Sequence, residues 1–492
     1  MAFRIGRAIA ERQGRRSLQS NRVLMFPLIV DAVVVVRQTE RQMLICLRTF
    51  MQQDAISMAR FSLKSLAAVF GCLVLLISQA AVQADNWPQW RGPAGNGIST
   101  EKNIATEWSR TKNVAWRLEL PGSAGATPAV WGERIFLTSV DGNDLVLLCV
   151  STKGKQLWRQ VIGTGNRTVR NDEGNMASPS PTTDGKHVWA TMSTGDMGCF
   201  TVDGKEVWKL DLQKRYGQFR IAFGMSSTPV LDDGRIFLQL IHGDGKAETQ
   251  EALVVAIDAL TGEGIWKQDR VTAAASENEH SYASPVIYND GKLKYLITHG
   301  ADYTIGHRLS DGTEIWRLGG LNPHDDPNRR YHPTLRFVSS PVAHEGMIIV
   351  PTAKSYPTFA IPGNLKGNHV AAGKSLLWTL PQTPDVPTPL IHKGLAYLCM
   401  ANGNLHCLEA KTGKELYKSL THRNRHRGSP VYADGHLYLT SRDGVVSVVK
   451  VGREFKLVAQ NDLEESLSAS PAISGGTLYL RSYDALWAIR GK

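Results

Sequence analysis

The chain has 492 residues, 21% of them charged, and is long enough to bury a large core. Its formal charge of +11 points first to nucleic acid. Residues 1–84, however, hold 11 of the Lys/Arg and 4 of the Asp/Glu, which leaves +4 spread over the remainder. Charge that thin makes no phosphate-binding stripe, and nucleic acid is set aside as a partner.

Within the first 84 residues, MARFSLKSLAAVFGCLVLLISQAAVQA (58–84) reads as a secretory signal peptide. Arg60 and Lys64 give a positive start, Leu66 to Ser78 an apolar run, and Val82-Gln83-Ala84 a small-residue cleavage site before Asp85. The run is shorter than the ~20 apolar residues of a membrane span, and an uncleaved N-terminal anchor is the other reading. Signal peptides start chains, so Met58 is the expected initiator and 1–57 a doubtful extension. Cys72 lies inside the apolar run rather than at its end, which argues against lipidation. The mature chain is expected to be a periplasmic or secreted monomer without a membrane span.

Next comes NWPQWRGPAGNGIS (86–99), an extended, proline-bounded stretch with Trp87, Trp90 and Arg91. Exposed tryptophans there would anchor a partner; packing against the outside or base of the domain is the expectation. NVAWRLEL then supplies a strand carrying Trp116.

From Thr127 onward one unit recurs. It opens on Ser/Thr-Pro at Thr127, Ser180, Thr228, Ser284, Ser340, Thr388, Ser429 and Ser470. STPVLDDGRIFLQL (227–240) and GSPVYADGHLYLTS (428–441) show the pattern: strand, tight turn, strand, with period-two alternation. The proline suits a first strand residue, where no ladder donor is required. A second half follows, again strand, Gly turn, strand, closing on Trp158, Trp208, Trp266, Trp316, Trp378, Tyr417 or Phe455. In AIDALTGEGIW (256–266) the acid and threonine can bond backbone in the turn, glycine supplies a positive φ, and the aromatic buries against a neighbouring unit.

Four short strands at this period define a propeller blade. The eighth unit, ending LWAIRGK, lacks its last strand and aromatic, and the Trp116 strand supplies both. The fold expected is therefore all-β: an eight-bladed propeller of four-stranded antiparallel blades, closed by an N-terminal strand that completes the last blade. Seven blades is the alternative, should the fifth unit not form a sheet. Cysteines 149, 199, 399 and 407 are expected as buried small hydrophobes. With Asn402-Gly403 as a two-residue turn, Cys399 and Cys407 would face opposite sides of their hairpin and form no bridge.

AIDALTGEGIW resembles the tryptophan docking motif of the pyrroloquinoline quinone (PQQ) repeat family. That family includes quinoprotein alcohol dehydrogenases and the outer-membrane assembly lipoprotein BamB, which has the repeats without the cofactor. NWPQWRGPAGNGIS resembles the opening of secreted PQQ-like proteins of planctomycete-type bacteria. The resemblance covers about 115–492 and is specific for fold rather than function. It implies two roles: a non-catalytic binding platform in the cell envelope, without cofactor, or a PQQ- and calcium-dependent dehydrogenase. The second would need a general base, oxygen ligands for a hard cation and commonly a vicinal Cys-Cys disulfide. The chain has no Cys-Cys pair and no C-x-x-C-H. The platform is the expected role.

The ligand face should carry the segments between each terminal aromatic and the next Ser/Thr-Pro. There His280, Tyr282, Arg336, Arg425, His426 and Arg427 form a candidate basic, aromatic-edged funnel for a small anionic ligand or an acidic segment of an envelope protein. The charges of HRNRHRG (422–428) repel one another unless an anion or acidic side chains sit nearby. Asp172, Glu173 and Asn175, and separately His324, Asp325 and Asp326, resemble cation ligands, but loop roles are expected for both sets and no metal site is assigned.

Overall fold

A computed structural model describes residues 86–170, 173–322 and 331–491. The signal peptide, Cys72, Asp172 and the 324–326 loop lie outside them. The described chain forms eight antiparallel blades. Blade 1 is Ala129–Trp131, Arg134–Asp141, Asp144–Ser151 and Gln156–Thr164. The two central strands of blade 1, IFLTSV and LVLLCV, are buried throughout, because each blade is covered on both faces by its neighbours. Outer strands such as Glu206–Asp211 in blade 2 alternate, with one face toward solvent.

Blade 8 consists of Ala472–Ser474, Thr477–Arg481, Ala485–Ile489 and, as its outer edge, Val114–Glu119. The N-terminal strand runs antiparallel to Ala485–Ile489, with Arg117 opposite Trp487 and Leu118 opposite Leu486. The ring thus closes by hydrogen bonds between the two ends of the propeller, and blade 8 has no bare edge there.

Blade 5 is a real sheet: Val342–His344, Met347–Val350, Thr358–Pro362 and Trp378–Leu380. Eight blades, not seven, is therefore the count. One feature was not legible beforehand. Between the last two strands of blade 5 the chain makes an excursion whose Gly367–Val370 pairs in parallel with Glu314–Gly319, the outer strand of blade 4. Of HVAAG, His369 and Val370 thus lie in a fifth strand on blade 4 rather than in the hairpin of blade 5.

Two devices repeat around the ring. At the perimeter, indole Nε1 groups donate to carbonyl oxygens of the next blade: Trp116 to Thr152 (2.8 Å), Trp158 to Val202 (3.0 Å), Trp208 to Ala259 (3.0 Å), Trp266 to Leu309 (3.0 Å) and Trp378 to Ala410 (2.7 Å). Each ring lies on that blade's turn glycine. At Gly262 (φ +71) a Cβ would meet the Trp208 ring at 2.8 Å. Ahead of it, Asp258 Oδ1 accepts the N–H groups of Leu260 and Thr261 at 2.9 and 2.8 Å. Trp316 differs: it is fully buried, edge-on to Tyr295. Tyr417 and Phe455 meet edge-to-face across blades 6 and 7, with ring centres 5.7 Å apart.

At the axis, the Ser/Thr of each Ser/Thr-Pro links to the next. Thr127 N–H donates to Ser180 Oγ (2.9 Å), Ser180 N–H to Thr228 Oγ1 (3.0 Å), and Thr228 N–H to Ser284 Oγ (3.0 Å). The series continues through Ser340, Thr388 and Ser429 to Ser470, at 2.8–3.1 Å. All eight residues are buried. The proline removes a donor that would have no place in the ladder, while the hydroxyl before it satisfies the preceding blade's N–H.

Segment 86–113 crosses the base. Trp87 exchanges backbone hydrogen bonds with Val130 (2.9 and 2.7 Å), Pro88 O accepts from Thr183 N–H (2.8 Å), and Tyr432 N–H donates to Gly97 O (2.8 Å). Arg91 is fully buried; its guanidinium donates to Pro430 O (2.7 Å), Pro389 O (2.8 Å) and Asn96 O (2.9 Å). The segment ties blades 1 and 2 to blades 6 and 7 before it enters blade 8.

The four cysteines of the propeller are free and buried. The 399–407 hairpin is one residue out of the expected register, because Met400 pairs with Asn404 around a three-residue loop with Gly403 at φ +88. Cys399 therefore pairs with Leu405 and Cys407 with Tyr397, so the two cysteines lie on the same face of the hairpin and not on opposite faces as expected, and both are free.

Ser429→Ala should leave the buried Thr388 N–H without its acceptor and cost ~1–3 kcal/mol in urea unfolding. Gly262→Ala should cost ~1 kcal/mol more than Gly291→Ala, whose positive-φ turn has open space for a Cβ. Equal costs would show that φ strain, and not the tryptophan dock, explains the glycine.

Candidate functional site

The two mouths of the ring differ. The base is crossed by segment 86–113, and Trp90 lines the axial channel from that side. The channel, ≈130 Å³, is faced by the Ser/Thr residues and, two positions before each, by Gly125, Ser178, Ser226, Tyr282, Val338, Val386, Arg427 and Ser468. The two-residue period of extended chain explains this: the small residues immediately before each Ser/Thr turn away, and the next ones out turn in. Six of these eight are small or aliphatic; Tyr282 and Arg427 are not.

The opposite mouth holds an open recess of ≈590 Å³, lined by Arg170, Glu173, Asp385, Asn402, Arg423, Asn424, Arg425 and Arg427. Glu173, from the connection between blades 1 and 2, reaches across to the connection between blades 6 and 7. Its Oε1 accepts from Arg425 Nη1 at 2.8 Å and Arg427 Nη2 at 2.9 Å, and Oε2 lies 3.9 Å from Arg170 Nε. Burial pushes this carboxyl up, but the hydrogen bond and charge of Arg427, with Arg170 and Arg425, outweigh it and hold the pKa below the usual glutamate value. An acidic side chain thus does sit among the HRNRHRG charges.

Beside the recess, the guanidinium groups of Arg170 and Arg336 lie 6.0 and 5.2 Å from the Phe223 ring centre, and the Tyr282 ring is 5.8 Å from it. Arg336 pairs with Glu277. Lys354 N–H donates to Asp385 Oδ1 (2.8 Å), and burial together with the Arg336 charge lowers the pKa of its ammonium.

Of the six candidate residues, four converge here: Tyr282, Arg336, Arg425 and Arg427. The two histidines do not. His426 is fully buried, its Nδ1 3.1 Å from Asn424 O and its ring against the Gly403 turn, and burial lowers its pKa. His280 is half-buried, with Nε2 3.2 Å from Gly243 O, and burial lowers its pKa too. Asn175 caps its own loop, accepting from Ala177 N–H and donating to Ser123 O, so it does not join Glu173 in a cation site. Arg170, Phe223 and Lys354 have no mark in the sequence: Arg170 and Phe223 sit in connections between blades, and Lys354 in the loop between Met347–Val350 and Thr358–Pro362 of blade 5.

The most perturbed acid with a general-base pKa is Asp302, raised from 3.8 to about 7 by burial, against hydrogen bonds from Tyr331 and Asn322. It is 1% exposed, accepts from the Tyr331 hydroxyl at 3.0 Å and does not line the channel or the recess. Its pKa reflects burial in blade 4.

The architecture defines a PQQ-like β-propeller. Residues 144–356 and 368–490 match the family described as outer membrane protein assembly factor BamB, and the chain belongs to that family. It is 21% identical to outer membrane protein assembly factor BamB of Yersinia pestis over 78% of this chain and 90% of that one. Among solved structures it is similar to BamB from Moraxella catarrhalis, at 12% identity, with a TM-score of 0.54 and coverage of 77% and 97%. It is also similar to a europium-containing methanol dehydrogenase, at 12% identity, with a TM-score of 0.60 and coverage of 82% and 90%. At these identities the solved structures speak for the fold alone.

A quinone with a hard cation needs clustered carboxylate and amide oxygens and a cavity of ~300 Å³ or more. The axial channel offers ≈130 Å³, hydroxyls, a phenol, a guanidinium and an indole. Among the described residues there is no cluster of three or more His, Cys, Asp or Glu suited to a metal. The donor set of the axial channel does not fit that cofactor.

Asp302 gives a pH prediction. The folded chain keeps a proton on Asp302 that the unfolded chain has lost between about pH 4 and 7, so its contribution to stability falls as pH rises through that window. Asp302→Asn should match the parent at pH 4 and exceed it by ~2–4 kcal/mol at pH 8 in denaturant titrations. A deficit at pH 8 would mean that the charged form is the one the fold uses.

Proposed function

We propose that this protein is a non-catalytic binding platform of the cell envelope, whose open mouth docks an acidic segment of a partner protein. The observation that carries this is the charge balance at that mouth: Arg170, Arg336, Lys354, Arg423, Arg425 and Arg427 against Glu173, Glu277 and Asp385. A rigid rim with excess cations steers and orients an anionic partner. The base, by contrast, is crossed by the protein's own N-terminal segment. The family's description as an assembly factor and the 58–84 signal-peptide pattern support an envelope role. Among the described residues no helix is long and apolar enough to cross a membrane.

The second reading, a PQQ- and calcium-dependent dehydrogenase, is the other role found in the PQQ repeat family. The hydroxyl-lined channel weighs against it.

Two measurements test the proposal. On mixing the protein with PQQ and Ca²⁺, no stoichiometric quinone uptake and no dye-linked alcohol oxidation are expected; tight uptake with turnover would overturn the non-catalytic role. A fluorescent octaglutamate peptide should bind, weaken steeply with salt, and be lost in the Arg425→Glu/Arg427→Glu double variant. Equal binding by that variant would remove the mouth as the docking site.

A further inference from the structure

The Glu173 contact is built unlike the Glu314–Arg317 ion pair. Glu314 and Arg317 form a two-pronged pair, Nε and Nη2 each on its own carboxylate oxygen at 2.6 and 2.7 Å. Glu173 presents one oxygen to two arginines and leaves the other 3.9 Å from Arg170, beyond hydrogen-bonding distance. Neither arginine of the pair uses its fork on it. The Arg425 side chain is 69% exposed, so half of the grip faces water and contributes little. Arg427, at 17% exposure, also faces the channel. Three guanidinium groups therefore converge on one incompletely bonded carboxylate, in a recess open to solvent.

We propose that this is a carboxylate-binding subsite, and that Glu173 is its tethered occupant, displaced when an acidic side chain of a partner segment enters. The inference rests on the docking role proposed above and adds the ligand group, the residues that receive it and the self-competition that sets its affinity. An incoming carboxylate approaches from the open side and can take the two-pronged geometry that the tethered one does not. Because Glu173 must leave first, the apparent affinity is lowered by the fraction of time it is bound. The contact thereby acts as a threshold: single stray carboxylates compete poorly, while a segment with several acids, also held by Arg170, Arg336 and Lys354, displaces it.

The test is octaglutamate affinity in the full mature chain, with thermal unfolding to confirm folding of each variant. Glu173→Ala should bind about tenfold tighter than the parent, and Arg425→Ala/Arg427→Ala should abolish the gain when added to it. Asp385→Asn removes one negative charge from the same recess without freeing an arginine, and should gain less than about threefold through the general field. Citrate in place of the peptide distinguishes a free-carboxylate receptor from a peptide site: a peptide site predicts a markedly smaller gain for citrate on Glu173→Ala. Equal peptide binding by the parent and Glu173→Ala would overturn the tethered-occupant inference and leave the docking role standing. An equal gain for Asp385→Asn would reduce the effect to net charge and also overturn it. No peptide binding by any variant would overturn both.

Discussion

A blade of this protein cannot exist alone. Its central strands are apolar on both faces, so each sheet needs a neighbour on either side, and only a closed ring gives every sheet two. Closure is thus the constraint on which the rest depends. It is met at blade 8, where Val114–Glu119 is hydrogen-bonded to Ala485–Ile489. The chain's first propeller strand and its last are one sheet, and separating them would expose blade 8 and, through it, its neighbours.

The blade-to-blade joints divide into an inner and an outer set with different chemistry. Near the axis, space is scarce, and the joint is a hydroxyl taking a neighbour's N–H. At the perimeter, space is ample, and the joint is an indole lying on a glycine turn. The geometry leaves the middle of each blade free to be generic β-branched and aliphatic core. It also confines functional variation to the connections at the mouths, which carry few of these joints.

The ring and its closing strand were legible in the sequence because they repeat: a signal seen eight times outweighs its weak copies. The aromatic docks were legible for the same reason. Where the chain departs from its own repeat, reading failed. The excursion after Pro362 sends Gly367–Val370 to blade 4, a choice set by an available sheet edge rather than by any local pattern. The Met400–Asn404 loop shifted a register by one residue, since Asn-Gly fits both a two-residue turn and a three-residue loop. At the mouth, Arg425 and Arg427 stood out as a charge run, but their partner is Glu173, about 250 residues earlier. Only folding brings the two connections across the same opening. His426, in the middle of that run, points the other way because alternate residues of extended chain face opposite sides.

Net charge was a poor guide to where charge matters. Arg91, Arg270 and Arg481 are fully buried, and burial lowers each to about 9, which keeps all three protonated near neutrality. Their hydrogen bonds go to carbonyl and hydroxyl oxygens: Arg270 to Thr298, Gly300 and Tyr303, Arg481 to Thr138, Gly122 and Ser139, and Arg91 to the two prolines that open blades 6 and 7. Such arginines are cross-struts whose five donors satisfy several orphan carbonyls at once, and they send little field to solvent. Arg425 and Arg427, at the mouth, have the opposite character: part-exposed, clustered, and bonded to a single shared oxygen. Charge that reaches solvent, and not an unsatisfied donor, sets the recess around Arg425 and Arg427 apart from the three buried struts, since Nε of Arg91 and Nε of Arg481 are themselves without partners.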